Sequence, residues 1–424
     1  MSAFSEAELE RLQHAAALIL AAEERLPVLR TLSWDRDLAD KFFASGEKEP
    51  PAPEYDIIDP SPSLELLHDA EHLVDGSTPV HAWLDRMIDT VEETAALLTC
   101  VGTSAFYGHS VALYGSPTAA IADGKVTALD LAHRLDTVLS EFDEGSMLLE
   151  PPEVLTAEDV RSRMEKELPE HFGDRAPRLE VTTNVSAKAA AGSDYIKLRA
   201  DASFSDLDVD QLLHHEALIH IATGYNGRSQ NRFPLLAESH PGNARTQEGL
   251  AVFAEFITGS LDPRRFKRLA DRVIGIEMST EGADFIELYQ FFRERNPKDA
   301  PLEAFESARR VVRGGLVNGG GPFTKDSVYL GGLLEVHNFL RAAVTTGDAD
   351  LIRALFVGKI DINDIDAVRM LLDEGLISEP QFLPPWVRDL RYLLSALAYS
   401  TFLASVDLES VEKRFETLLT EIKD

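Results

Sequence analysis

His215-Glu216-Ala217-Leu218-Ile219-His220 is the stretch whose reading decides the fold. Glu248 stands 28 residues after His220, within Thr246-Gln247-Glu248-Gly249-Leu250-Ala251. Neutral imidazoles and a carboxylate are the donors a catalytic zinc takes, with one position left to water. A glutamate beside the first histidine, Glu216, is placed to take a proton from that water. The spacing is unusual. In H-E-x-x-H the histidines stand at i and i+4, about 40° apart around a helix at roughly 100° per residue. Here they stand at i and i+5, about 140° apart by the same arithmetic. Two rings that far apart reach one ion only if the helix is distorted. Either a π-bulge adds a residue to the turn, or the helix ends near His220, ahead of Gly224 and Asn226-Gly227.

The two motifs together resemble the QEGLA-motif family. Its bacterial members often carry the label flavohaemoglobin expression-modulating protein. Its eukaryotic relatives include the microtubule-associated tyrosine carboxypeptidases, zinc enzymes with an H-E-x-x-x-H motif. The resemblance rests on His215, Glu216, His220 and Gln247-Glu248-Gly249-Leu250-Ala251, with a weaker third part in Phe323-Thr324-Lys325-Asp326-Ser327-Val328-Tyr329-Leu330-Gly331. It covers roughly 180–345. It implies one Zn2+ per chain on His215, His220 and Glu248, with Glu216 as general base, and it makes the six-residue spacing the family pattern. No residue bears on the flavohaemoglobin label.

Composition narrows the rest. Hydrophobic residues make up 44% of 424, as in an ordinary globular chain of two to three domains or one elaborated one. The formal net charge is −31, from 72 acidic against 41 basic residues. That excludes backbone binding to nucleic acid and an anionic membrane surface as expected partners, and argues against a highly acidic protein tail as substrate. Cys100 is alone, in an apolar run, and reads as a small core residue. The first residues lack a basic segment with an apolar stretch behind it, and no apolar run reaches 18 residues, so a cytoplasmic location is expected.

Along the chain, helices are expected near 6–30, 81–98, 127–141 and 156–170. Ser45–Pro53 reads as a loop and Ser104–Pro117 as a turn or short hairpin. Thr156-Ala157-Glu158-Asp159 has the form of a capping box. Leu179–Val185 and Tyr195–Ala200 alternate, as a β-hairpin or two sheet strands. The motif helix is expected from 206–208 to Ile221. Helices follow near 246–258, 262–278, 281–294, 300–313, 325–345, 363–375, 385–404 and 407–422. The expected class is α+β, predominantly helical. A small sheet ahead of the motif helix suggests a zincin-like metallopeptidase core by analogy. The expected division is a helical N-terminal region, 1–150, and a zincin-like catalytic region with C-terminal helices, 151–424.

Other constellations compete. His68-Asp69-Ala70-Glu71-His72 fits the inverted zinc motif, but it lies between Pro62 and Gly76 with no strand before it and reads as a solvated face. His214 reads as a packing residue behind the motif, and His240 as a loop histidine or a transition-state donor. Gly314-Gly315 and Gly319-Gly320-Gly321 lack the Gly-Lys-Ser/Thr of a phosphate loop and read as flexible loops beside a cleft. Arg309 and Arg310 read as a solvated helix face. A carboxypeptidase needs a positive group for the terminal carboxylate. Arg313 and Lys325 are the candidates, with Tyr329, one turn after Lys325, as donor to the oxyanion. The expected activity is a zinc metallopeptidase cutting near a peptide or protein C-terminus. The alternative is a non-catalytic regulatory or binding protein that retains the fold.

Overall fold

The computed structural model describes residues 3–35, 37–121, 126–141, 153–185, 187–295, 300–403 and 413. The helix expected over 407–422 falls outside them except at residue 413. The described chain is mostly helix, with three small sheets, the α+β class expected. Local signals set most helix starts. Thr156 accepts from the Asp159 backbone N–H while Asp159 accepts from the Thr156 N–H, so two donors at the start of Ala157–Phe172 are satisfied reciprocally. Ser205 and Asp208 do the same at the start of the motif helix.

Some helices were not expected, Asp37–Ala44 and Ala349–Ala354 among them. Residues Ala105–Tyr114 are helical, where a turn or hairpin was read from the glycines. Phe106, Ser110 and Tyr114 recur every fourth residue and are buried, so packing outweighs the cost of Gly108 inside the helix. Gly115 ends it at φ 79°, a conformation glycine adopts without a Cβ clash.

The largest sheet has three strands. Arg178–Thr182 and Tyr195–Arg199 pair in parallel, so they are two sheet strands and not a hairpin. Ala189–Ala191 lies antiparallel on the far side of Tyr195–Arg199 and forms an edge. Ile196 and Leu198 face inward and are fully buried with Leu168, Phe172, Leu212, Leu213 and Ala217. This second core glues the sheet to the motif helix. The main core takes residues from Phe4 to Leu397, and a third, aromatic cluster joins Trp34 and Phe42 to Phe285, Tyr289 and Phe305. Among the described residues no helix is long and apolar enough to cross a membrane.

Candidate metal centre

The motif helix begins as α-helix at Asp206–Leu212, widens into a π-helix over Leu213–Ile221, and returns to α-helix through Ala222–Arg228. Of the two distortions open from the spacing, the structure therefore has the widened turn. The helix does not end at His220. Asn226 anchors its continuation: its amide donates to the carbonyls of Phe356 and Phe382 and accepts from the N–H groups of Gln381 and Phe382, so this buried side chain is fully satisfied. The extra residue in the turn brings positions five apart over one another. The His215 and His220 rings meet edge to face, with centroids 5.0 Å apart.

Glu248 arrives on the helix Pro241–Thr258, which crosses the motif helix and the later helix Val328–Thr346. Gly249 makes the second crossing close. A Cβ there would stand 2.4 Å from the Gly332 backbone. Gln247 and Thr223 are hydrogen-bonded at 3.0 Å, tying the two site helices together one residue from Glu248. The QEGLA run is thus a packing device as well as the source of the carboxylate that faces the two histidines.

His215 Nε2 and His220 Nε2 lie 3.6 Å and 3.5 Å from the same oxygen, Glu248 Oε2. Tetrahedral ligands about 2.0–2.2 Å from zinc stand roughly 3.4 Å apart. The donor atoms of the three residues lie within 4.8 Å of one another, and no other metal-capable group of three His, Cys, Asp or Glu occurs among the described residues. His68 and His72 are not such a group; the His68 side chain is largely in solvent.

Behind this trio lies a residue that the sequence reading missed. Glu255 is fully buried and its Oε1 lies 2.6 Å from His215 Nδ1. That contact fixes the ring with Nδ1 protonated and Nε2 turned toward Glu248, the orientation metal-binding histidines take from a supporting carboxylate. Arg265 and Gln211 donate to Glu255 in turn. Burial opposes the charge on Glu255, but Arg265 and His215 outweigh it and lower its pKa to about 2. Burial likewise opposes charge on Glu248, yet Lys325, His215 and His220 hold it well below the ordinary carboxylate range. His215 is pushed up to about 10, against burial, by Glu248 and Glu255. The signal for Glu255 was present: it is the lone acid in Leu250–Ile257, seven residues and two turns after Glu248.

Glu216 points toward the sheet edge. Its Oε2 accepts the Ala191 backbone N–H at 2.9 Å. With His215 and Tyr329 it lines a cleft whose basic side chains are Lys188, Arg199, Arg265, Arg268, Arg272, Arg309 and Arg310, against the acidic Asp208, Glu216, Glu303 and Glu306. Arg309 and Arg310 are therefore not a solvated helix face. Arg309 is buried beside Glu306, and Arg310 grips both oxygens of Asp326 at 2.7 and 2.6 Å. The reason is the Thr324–Ser327 turn, which brings Asp326 under the arginines.

Lys325 donates to Glu248 Oε1 at 3.3 Å, so it restrains that carboxylate and leaves Oε2 toward the histidines. Arg313 is buried with its guanidinium 5.4 Å from the Phe323 ring centroid, and it is not among the side chains lining the cleft. His214 is half-buried behind the motif, and burial lowers its pKa. His240 opens the Pro241–Thr258 helix and is buried away from the cleft lining, its pKa lowered to about 4 by burial and Lys359. The glycine turn packs against the end of the Pro263–Thr280 helix, Gly320 donating to the Ser279 carbonyl at 2.7 Å.

Fold and site define a helical α+β protein with a two-histidine, one-carboxylate trio, His215 buried and His220 and Glu248 half-buried, that could hold a metal ion. A family model described as microtubule-associated tyrosine carboxypeptidase matches residues 40–405, and the chain belongs to that family. The match takes in every residue of the trio and the cleft. No curated protein matches the chain.

Proposed function

We propose that this protein is a zinc metallopeptidase, a carboxypeptidase acting near the C-terminus of a peptide or protein. The observation that carries the reading is the convergence of His215, His220 and Glu248 with Glu255 behind His215. Two imidazoles and an ionised carboxylate suit zinc, and His215 is already oriented to present Nε2. A zinc ion held there would act as a Lewis acid toward water and the scissile carbonyl.

The chain's own groups supply the rest. Glu216 uses Oε2 to hold the Ala191 N–H, and its Oε1 has no hydrogen-bond partner among the described residues. Oε1 is the atom we assign to take a proton from water and return it to the leaving amine. Tyr329 lines the same cleft, and burial and the nearby Glu248 raise its pKa, so its hydroxyl stays protonated and can donate to the oxyanion. Lys325 holds Glu248. The family's description makes a C-terminal tyrosine the first terminal residue to test.

Metal analysis of the purified full chain, paired with hydrolysis of C-terminally varied peptides, tests the reading. About one zinc per chain is expected, with activity lost on chelation and regained on adding zinc. Glu216→Gln should keep the metal and lose hydrolysis by about 100-fold or more. Cleavage that survives chelation, or metal retained in full after both His215→Ala and His220→Ala, would overturn it.

A further inference from the structure

The cleft beside His215 and Glu216 holds guanidinium groups that its carboxylates do not neutralise. Arg265 is taken up by Glu255, and Arg310 by both oxygens of Asp326. Arg268 has no hydrogen-bond or ion-pair partner among the described residues. Arg272 reaches Asp326 Oδ2 at 3.7 Å, an atom Arg310 already bonds at 2.7 Å, and its guanidinium lies 6.0 Å from the Tyr329 ring centroid. Arg268 and Arg272 stand four apart on the helix Pro263–Thr280 and so share a face, with like charges that repel. Their surroundings resist that charge. Burial and Arg265 lower the pKa of Arg268 against the pull of Asp262, Asp208 and Glu303, and burial and Arg310 lower that of Arg272 to about 10 against Asp326. An anion arriving here would relieve both.

We propose that Arg268 and Arg272 form a subsite that receives a carboxylate of the bound peptide, in the same cleft as His215 and Glu216. The inference rests on the peptidase reading above for its ligand. A guanidinium presents a planar fork that matches a carboxylate bidentately. The flanking Phe204, Leu212 and Leu302 give the neighbouring side chain an apolar wall. The carboxylate has two sources in a peptide: the terminal α-carboxylate, or an acidic side chain near it.

Binding separates them. Fluorescein-labelled pentaalanine is offered with a free C-terminus or a terminal amide. A second pair, both amidated, carries glutamate or glutamine as its fourth residue. Affinities are measured by anisotropy on the zinc-loaded full chain carrying Glu216→Gln, which leaves the peptide uncut. The free-carboxylate peptide should bind about tenfold tighter than its amide, the weight of a charge-assisted contact. That gap should close with Arg268→Ala and narrow with Arg272→Ala, while Arg268→Lys keeps part of it. A gap confined to the glutamate–glutamine pair, and closed by the same variants, would still support the subsite and assign it to a side chain. Melting curves verify that each variant is folded; should Arg268→Ala fail to fold, Arg268→Lys and Arg272→Ala carry the comparison. No gap in either pair, or gaps indifferent to both arginines, overturns the proposal. Hydrolysis by the unsubstituted chain is read separately. Arginine-dependent binding without cleavage would sink the peptidase reading alone, and cleavage with arginine-indifferent binding would sink the subsite alone.

Discussion

Glu255 illustrates what a single side chain does in a buried polar site. Its carboxylate cannot be there for solubility, since it is fully buried, and it is held ionised by Arg265. The remaining work is to orient His215. Supporting carboxylates of this kind are typically worth about 10–100-fold in metal affinity. Glu255→Gln keeps the shape and removes the charge, so zinc affinity measured against a chromophoric chelator should fall by about that factor. An affinity unchanged within twofold, in a variant that circular dichroism shows to be folded, would reduce Glu255 to a partner of Arg265. The same scale separates residues that sequence motifs reveal from those they conceal. His215, Glu216, His220 and Glu248 stand in short runs with a chemical meaning. Arg268 stands in no motif and becomes visible only through its neighbours, while Glu255 is marked in the sequence only as a lone acid in an apolar run.

Among the elements, the site depends on two helices packed closer than ordinary side chains permit. Gly249 faces the Gly332 backbone, and a methyl group added there must push the helices apart. Gly249→Ala should therefore destabilise the fold by about 1–3 kcal/mol, as overpacking does. Because Glu248 is the preceding residue, zinc affinity should weaken with it. Urea unfolding and the chelator competition read the two effects. An alanine variant as stable as the parent would mean that the crossing relaxes freely. The π-turn is the companion device. It places His215 and His220 on one side only because the helix continues on both flanks, pinned by the Ser205 cap before it and Asn226 after it.

Charge shows how differently the whole molecule and its cleft behave. The chain carries −31 overall, while the cleft gathers seven basic side chains against four acidic ones. Acidity also shapes the response to pH. Burial and Glu238 raise Glu23 to about 7, and burial, against nearby cations, raises Asp271 and Asp364 each to about 6. A carboxyl with a folded pKa above its unfolded value, near 4, costs the fold stability as pH rises from about 4 to about 7. Asp326 runs the other way: burial opposes its charge, but Arg310 and Arg272 hold its pKa below the ordinary value. Its stabilisation is complete above about pH 4 and is lost as pH falls further. Chelator-treated protein should therefore melt at a higher temperature at pH 5.5 than at pH 8. A flat profile or the reverse order would show that these buried carboxyls do not govern stability.

Most helix positions, and the grouping of His215, Glu216, His220 and Glu248, were legible in the sequence because their causes are local. Apolar periodicity, a Thr156 or Ser205 cap and the spacing from His215 to His220 are written within a few residues of one another. Ala105–Tyr114 escaped because its glycine and small residues favour a turn until Phe106, Ser110 and Tyr114 find a core to enter. Tertiary structure alone decided the rest. It chose the widened turn over a helix end, paired Arg178–Thr182 with Tyr195–Arg199 in parallel, and set Arg309 and Arg310 against Glu306 and Asp326. It also set Glu255 behind His215 and left Arg268 facing the cleft with no hydrogen-bond or ion-pair partner among the described residues. Each of these depends on which distant segment arrives as neighbour, and burial and charge pairing are properties of that meeting.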